Sequence, residues 1–352
     1  MFITSATLRN FRCFERLALS FDKPVVVIEG ANGSGKTSLL EALAFACHLR
    51  SFRRIAPREL VRWEQEGFAV ALAGVGREHA SSAAKLAPWE LKVTVLPHRK
   101  SVIANGTSAT SIREIFELYR VILLGEQDLE LVAGPPEERR LFLDQGITLQ
   151  HPAYAQTLKT FRQILRQRAA LLATAHQGRI DQHAYDTWTD QLKAISVTIR
   201  AERVAYAEKL ERMTEQLFAA FTPAPPPAVK LIYLVNDEER VTLADELRAK
   251  RSLVGAHLDD LAILWENRAV RRFSSRGQQK LLVILLKCAQ RELLNSPCIL
   301  LVDDFMTDLD NQRSAALLPL LCKPESQVLF TSPLEAVLKN KLAPYRPQEI
   351  KL

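Results

Sequence analysis

The sequence predicts an α/β fold in which a sheet with flanking helices is interrupted by an inserted helical segment, and three observations point to it. An apolar strand runs into a glycine-rich loop and then a long apolar helix between Val25 and Cys47. A second apolar run, Cys298 to Val302, ends on the carboxylates Asp303 and Asp304. From Pro152 to Phe221 strand signals are missing and apolar residues recur at helical spacing.

The first of these carries the most chemistry. Gly30-Ala31-Asn32-Gly33-Ser34-Gly35-Lys36-Thr37 satisfies G-x-x-x-x-G-K-[ST] at every position. Its glycines let successive backbone N–H groups curl around a phosphate, and the helix that follows brings its positive end to the same place. Lys36 adds a point charge, Thr37 offers a hydroxyl to Mg²⁺, and Ser38 completes the nucleotide-contacting set.

A phosphate loop needs an acidic partner on a neighbouring strand, and the run into Asp303-Asp304 supplies it. A strand buried on both faces reads as continuous apolar residues, and parallel sheets present ligands at the C-terminal ends of their strands. Asp303 is therefore assigned to the magnesium shell and Asp304 to orienting water. Thr331, at the end of the next apolar run, is read either as a γ-phosphate contact or as a plain strand end.

Upstream, Phe273 to Gln279 is a small-residue turn that enters the apolar helix Lys280 to Leu294. Ser275, Gly277 and Gln278 at a helix start offer a hydroxyl, free N–H groups and the helix dipole to an anion. The same residues also suit an ordinary helix cap.

Between the lobes, Leu158, Phe161, Leu165 and Leu172 mark one helix. Tyr185, Trp188, Leu192, Ile195 and Ile199, continuing to Leu217, mark a second, which at roughly 40 residues is on the order of 60 Å long. Gly178 and Asp181 separate the pair, and Thr222 to Pro227 ends it in a stiff proline-rich connector. The organisation expected is 1–150, an N-terminal lobe; 151–222, a helical arm or subdomain; and 223–352, a C-terminal lobe.

A net charge of +7 over 352 residues favours phosphate-rich partners. Arg50, Arg53, Arg54, Arg58 and Arg62 face a lone Glu59 over a short stretch, and Lys159, Arg162 and Arg166 recur at helical spacing. Both are candidate contacts to a DNA backbone. No base-reading module is apparent, so duplex and single-strand/duplex junctions are expected to be bound without sequence preference. The five cysteines form no Cys-x-x-Cys pair and read as buried reduced thiols. No apolar run approaches membrane-spanning length and no signal-peptide pattern opens the chain, so a cytoplasmic protein is expected.

Taken in order, these motifs resemble the RecF family of SMC-like, ABC-type ATPases. The matching pieces are Leu8 to Phe14, the phosphate loop, Arg50 to Arg53, Asn105-Gly106, Asp128 to Gly134 with Glu138 to Asp144, Gly255 to Leu261, Ser275 to Gln278, and Leu301 to Asp304 with Asp308-Leu309-Asp310. Ala256 and Leu258 depart from the family's proline and basic residue, and Gly125-Glu126-Gln127 from its Ser/Thr-Pro-Glu.

The resemblance implies an ABC-type P-loop ATPase head binding ATP and Mg²⁺, with Gln127 reaching metal and attacking water. Asp310 and Arg12 approach the nucleotide, though Arg12 and Arg53 could serve either nucleotide or DNA. In such heads the phosphate loop and the signature helix face apart. Ser275 and Gly277 of one chain therefore close over nucleotide held by another, and ATP makes a homodimer. The implied role is a slowly hydrolysing, DNA-stimulated clamp of recombinational repair and replication restart at gapped DNA, acting with RecO and RecR to load RecA. The alternatives are an ATP switch that binds a protein partner instead of DNA, and a transporter motor. Stimulation of hydrolysis by DNA separates the first; membrane association through a partner, the second.

Overall fold

The computed structural model describes residues 1–77, 86–109, 112–175, 180–221, 227–294, 296–304, 311–332 and 340–352. Asp308 to Asp310, Gly178 and most of the proline-rich connector lie outside the described residues. Two compact units divide the chain: Met1–Asp128 with Leu294–Leu352, and Leu129–Leu293. In chain order the first begins with β1 (Phe2–Phe11), β2 (Phe14–Ser20), β3 (Val25–Glu29), α1 (Lys36–His48), β4 (Phe68–Arg77), β5 (Leu86–Leu96), β6 (Arg99–Ala104), β7 (Thr107–Ser108), α2 (Ile112–Leu118) and β8 (Val121–Gly125). The second holds α3 (Glu130–Ala133), α4 (Pro136–Gln150), α5 (Tyr154–Thr174), α6 (Gln182–Phe221), β9 (Val229–Leu234), α7 (Leu243–Ala249), β10 (Asp260–Trp265), β11 (Arg268–Ala269), α8 (Val270–Phe273) and α9 (Arg276–Leu293). The chain then returns to the first with β12 (Ile299–Asp303), α10 (Asn311–Leu321), β13 (Gln327–Ser332) and β14 (Gln348–Lys351).

The first unit contains two sheets. One is antiparallel, in the order β2-β1-β4-β5-β6-β7; the other is parallel, in the order β14-β3-β13-β12-β8. Their sequences differ as their surroundings require. β1 alternates buried and more open positions, whereas every residue of β3, β8, β12 and β13 is buried. The helix α1 is buried from Leu39 to Cys47, and the core around it takes Ile3, Leu8 and Val70 from one sheet and Val26, Ile28 and Leu301 from the other. At the β6–β7 hairpin Asn105 and Gly106 both have positive φ, as an Asn-Gly two-residue turn demands. Cys47, Cys288, Cys298 and Cys322 are buried and outside any disulfide; Cys13, expected to be buried, is exposed because it lies in the tight turn between β1 and β2.

The second unit is built on α6, which packs against α4, α5, α9 and β9. These contacts group α4 and β9–β11 with the helical pair, so the unit boundaries fall at 128 and 293, away from the sequence partition at 150 and 222.

Its interior is held by guanidinium–carboxylate pairs. Arg203 reaches Asp144 with two hydrogen bonds of 2.8 and 2.9 Å, and the Tyr154 hydroxyl donates to the same carboxylate. Arg139 forks onto Asp260 at 2.7 and 3.0 Å. Arg200 binds Asp259 and Glu238, while Asp259 also accepts from the Tyr233 hydroxyl and the Asn236 amide. The motif Gly255 to Leu261 therefore serves packing through both of its aspartates.

Arg168 and Glu246 form a pair with no exposed side-chain surface on either partner. Thr189 and Ser252 accept from Arg168, and the Tyr185 hydroxyl donates to Glu246. Burial pushes the Glu246 carboxyl up, but hydrogen bonds from Arg168, Tyr185 and the Leu253 amide outweigh it and hold the carboxyl below its ordinary range. Removing one partner of such a pair strands a buried charge, so Arg168→Ala is expected to cost about 3–5 kcal/mol in a urea titration at neutral pH. Because the folded carboxyl is the stronger acid, its stabilisation is complete above the ordinary value of 4.5 and is lost as pH falls through the lowered folded value. The stability gap between the parent and Glu246→Gln should narrow over that acid range; a gap constant down to acid unfolding would contradict this.

Candidate nucleotide site

Parallel register aligns the C-terminal ends of four strands. Asp303 lies opposite both Thr331 and Gly125, and Thr331 opposite Ile28. Along one edge the sheet thus presents the loop after β3, the end of β13, the Asp303-Asp304 pair after β12, and the segment after β8.

The loop after β3 needs its glycines for two separate reasons. Gly33 and Gly35 adopt φ of 86° and 103°, in the left-handed region that L residues rarely occupy. A Cβ on Gly35 would also come within 2.5 Å of the Phe14 ring and 2.8 Å of Cys13 Sγ. Gly35 caps α1 without any side-chain hydrogen bond to the first helical turn, so those N–H groups point into the loop. The Lys36 ammonium lies along its own loop, donating to the carbonyls of Gly30 at 2.6 Å and Ala31 at 3.0 Å. Ser34 Oγ is buried with no hydrogen-bond partner among the described residues.

Asp303 joins this loop to the sheet. Its Oδ1 accepts from the Thr37 hydroxyl and from the Thr331 hydroxyl, each at 2.9 Å. Thr331 in turn accepts from the amide of Asp304 at 3.0 Å, and Asp304 turns away from the strand with a left-handed φ of 48°. Asp is among the residues that tolerate that conformation. Thr331, left open by sequence, thus donates its proton to Asp303 and offers a lone pair to the Asp304 amide. Nothing local in Val328 to Ser332 signals this; only the register does.

Gln127 follows β8 on the other side of Asp303. A Cβ on Gly125 would meet Gln127 Nε2 at 2.8 Å, so glycine there makes room for the amide, and that Nε2 is buried without a partner among the described residues. Buried polar atoms are nearly always satisfied, so Ser34 Oγ and Gln127 Nε2 call for a polar ligand at this edge. Thr37 and Asp303 bring a hydroxyl and a carboxylate within 2.9 Å of each other. Hard oxygen donors of this kind, few in number, fit magnesium held jointly with phosphate oxygens. Among the described residues no group of three or more His, Cys, Asp or Glu converges on a metal position.

Arg12 stands beside α1. Its guanidinium donates to both carboxylate oxygens of Glu41 and to the Glu59 carbonyl, and Glu41 also accepts from the Ser51 hydroxyl. Arg50, Arg53, Arg54 and Arg58 are exposed, while Arg62 is half-buried and lies 3.7 Å from Glu15. In the second unit Lys159, Arg162 and Arg166 are exposed on α5. There too, Ser275 and Gln278 form a reciprocal cap at the start of α9: the Ser275 amide donates to Gln278 Oε1 at 2.8 Å and the Gln278 amide to Ser275 Oγ at 3.3 Å. Capping uses the serine oxygen as acceptor and leaves its proton to donate outward.

The chain is similar to known proteins along most of its length. The family model described as RecF/RecN/SMC N terminal domain matches residues 2–346. The DNA replication and repair protein RecF of Natranaerobius thermophilus is 30% identical over 347 residues, covering 91% of this chain and 88% of that one. RecF of Chloroflexus aurantiacus is 32% identical over 370 residues, with 94% and 93% covered. A solved structure of the recombination mediator protein RecF-ATP in the RecFOR pathway superposes with a TM-score of 0.84 at 24% identity, covering 95% of this chain and 92% of that chain, and so shares the fold.

Thr331→Val keeps the side-chain shape but removes a donor from Asp303 and an acceptor from the Asp304 amide. It is expected to weaken magnesium-dependent binding of a fluorescent adenine nucleotide by about tenfold, the size of a lost hydrogen bond to a charged group. Equal binding by parent and variant with magnesium present would remove Thr331 from the site.

Proposed function

Because this chain belongs to the RecF/RecN/SMC N-terminal-domain family, and within it to the RecF proteins of DNA replication and repair, we propose that it is an ATP-dependent DNA clamp acting in the cytoplasm at gapped DNA. The observation that supports this reading best is the continuous hydrogen-bond chain from Thr37 through Asp303 and Thr331 to Asp304. It links the helix that receives phosphate to the residue proposed to handle water.

Backbone N–H groups from Gly30 to Lys36 surround the phosphates, and the Lys36 ammonium exchanges its loop carbonyls for phosphate oxygens. Thr37, Asp303 and Gln127 hold magnesium, which when bound neutralises charge on the phosphate oxygens. Asp304 orients the attacking water. Its carboxylate has a shorter reach than a glutamate, which suits slow turnover.

Ser275, Gly277 and Gln278 of a second copy close the nucleotide, placing ATP between two chains in a two-fold homodimer. Asp310 is assigned to the same nucleotide. Basic residues on both units, Arg50 to Arg62 and Lys159 to Arg166, then follow duplex and junction backbones. DNA affinity and ATP affinity rise together by linkage. Within the pathway this reading assigns cooperation with RecO and RecR and, through them, loading of RecA, with hydrolysis stimulated by DNA.

Lys36→Ala is expected to lose nucleotide binding and to elute on size exclusion as a monomer with or without ATP. Asp304→Asn should retain an ATP-dependent dimer for longer than the parent. A parent chain whose elution is unchanged by ATP would overturn the clamp. Joint Arg54→Glu and Arg58→Glu substitution should weaken duplex binding and flatten the slope of log K against log salt by about two, as expected when two phosphate contacts are lost.

A further inference from the structure

Trp63 is the most exposed large apolar residue described, at 85% of its surface open. It is mounted rigidly. Val61 bridges Phe11 across an antiparallel contact, and the Arg62 amide donates to the Asn10 carbonyl at 2.9 Å. The next partner of β1 on that side is β4, where Arg9 lies opposite Ala69. Residues 63–67 therefore leave the sheet as a short excursion between those two points of attachment. A turn hydrogen bond from the Gln65 amide to the Arg62 carbonyl, at 3.1 Å, and one from Asn10 Nδ2 to Gln65 Oε1, also 3.1 Å, pin the excursion at its base. With the backbone of the turn fixed, an indole at its tip has only its own two side-chain torsions to lose on contact.

Charge around the excursion is mixed, and its unbalanced positive part lies on the β1–β2 face. Arg9 lies directly opposite Arg16 across the exposed face of β1 and β2, where like charges disfavour pairing. An anionic ligand on that face relieves the repulsion. Arg58 and Arg62 lead into the excursion from the other side. The acidic residues nearby in sequence are Glu15, which lies against Arg62, and the exposed Glu59, Glu64 and Glu66.

We propose that Trp63 is a stacking platform for an unpaired base, placed where a single strand leaves a duplex whose backbone runs over Arg9, Arg16, Arg58 and Arg62. An aromatic face between phosphate-binding arginines is the arrangement by which proteins hold single strands without reading sequence. A base paired within a blunt duplex has its faces covered and gains nothing from the indole, so this residue distinguishes gapped from blunt DNA. The inference rests on the DNA-binding reading above and adds the residue that selects the junction.

The test measures fluorescence anisotropy in the presence of ATP with labelled gapped duplex and labelled blunt duplex, using the parent, Trp63→Ala and Trp63→Phe. Trp63→Ala is expected to lose about tenfold or more in affinity for the gapped duplex, within the range of one stacked base, and less than about twofold for the blunt duplex. Trp63→Phe should recover most of the loss. Adding single-stranded oligonucleotide should quench the intrinsic tryptophan fluorescence of the parent and not that of Trp63→Ala. Equal losses on both DNAs, or quenching that survives in Trp63→Ala, would overturn the platform while leaving DNA binding intact. A parent chain that binds neither DNA would instead overturn the DNA reading, and the platform with it.

Discussion

One carboxylate oxygen holds the nucleotide edge together. Asp303 Oδ1 accepts hydroxyls from the first turn of α1 and from the end of β13, so three segments far apart in sequence meet at one atom. A carboxylate this deeply buried is tolerated only with such partners. The arrangement also depends on strand register. Side chains alternate faces along β12, and a slip of one residue against β13 would carry Asp303 to the opposite face and break both hydroxyl contacts. The unbroken apolar runs before Asp303 and Thr331 would be buried on either face, so the penalty for the slip falls on Asp303, a buried carboxylate that would lose both hydroxyl partners.

Legibility in the sequence followed the range of the interactions. The phosphate loop and the acidic strand end are local patterns whose chemistry is contained in consecutive residues, and the structure brings them to one edge as that chemistry requires. The two arm helices were equally readable, with α5 and α6 filling the span marked by apolar spacing. Thr331 was not readable, since its partner lies 28 residues away and is chosen by strand pairing. Arg168 sits in the apolar stripe of α5 and finds Glu246 78 residues later, a match that no helical periodicity encodes. The aspartates of Gly255 to Leu261 carried the family pattern, yet their partners Arg139 and Arg200 come from α4 and α6. Cys13 misled because a turn interrupts the apolar context on which its expected burial rested.

The two units are stabilised by different physics. The first is a largely apolar core around one helix between two sheets. The second is threaded with ion pairs, among them those of Arg139 on α4, Arg168 on α5, and Arg200 and Arg203 on α6. Buried pairs of this kind add little net stability compared with well-packed apolar side chains, but each is strongly disfavoured when mispaired. Fork-shaped guanidinium contacts admit one alignment of long helices, where apolar stripes alone would allow sliding by a turn.

The parallel sheet has a consequence for biosynthesis. Its order places β3, which leads into the phosphate loop, between β14 and β13, two strands made after residues 129–293. Residues 129–293 emerge from the ribosome as one contiguous stretch able to collapse on itself, while β3 waits for the partners β13 and β14, made beyond that stretch. Gln327 makes the dependence tangible, since its side chain closes on both the amide and the carbonyl of Ile3. A nascent polypeptide therefore carries its glycine-rich loop without its sheet neighbours until β13 and β14 have been made.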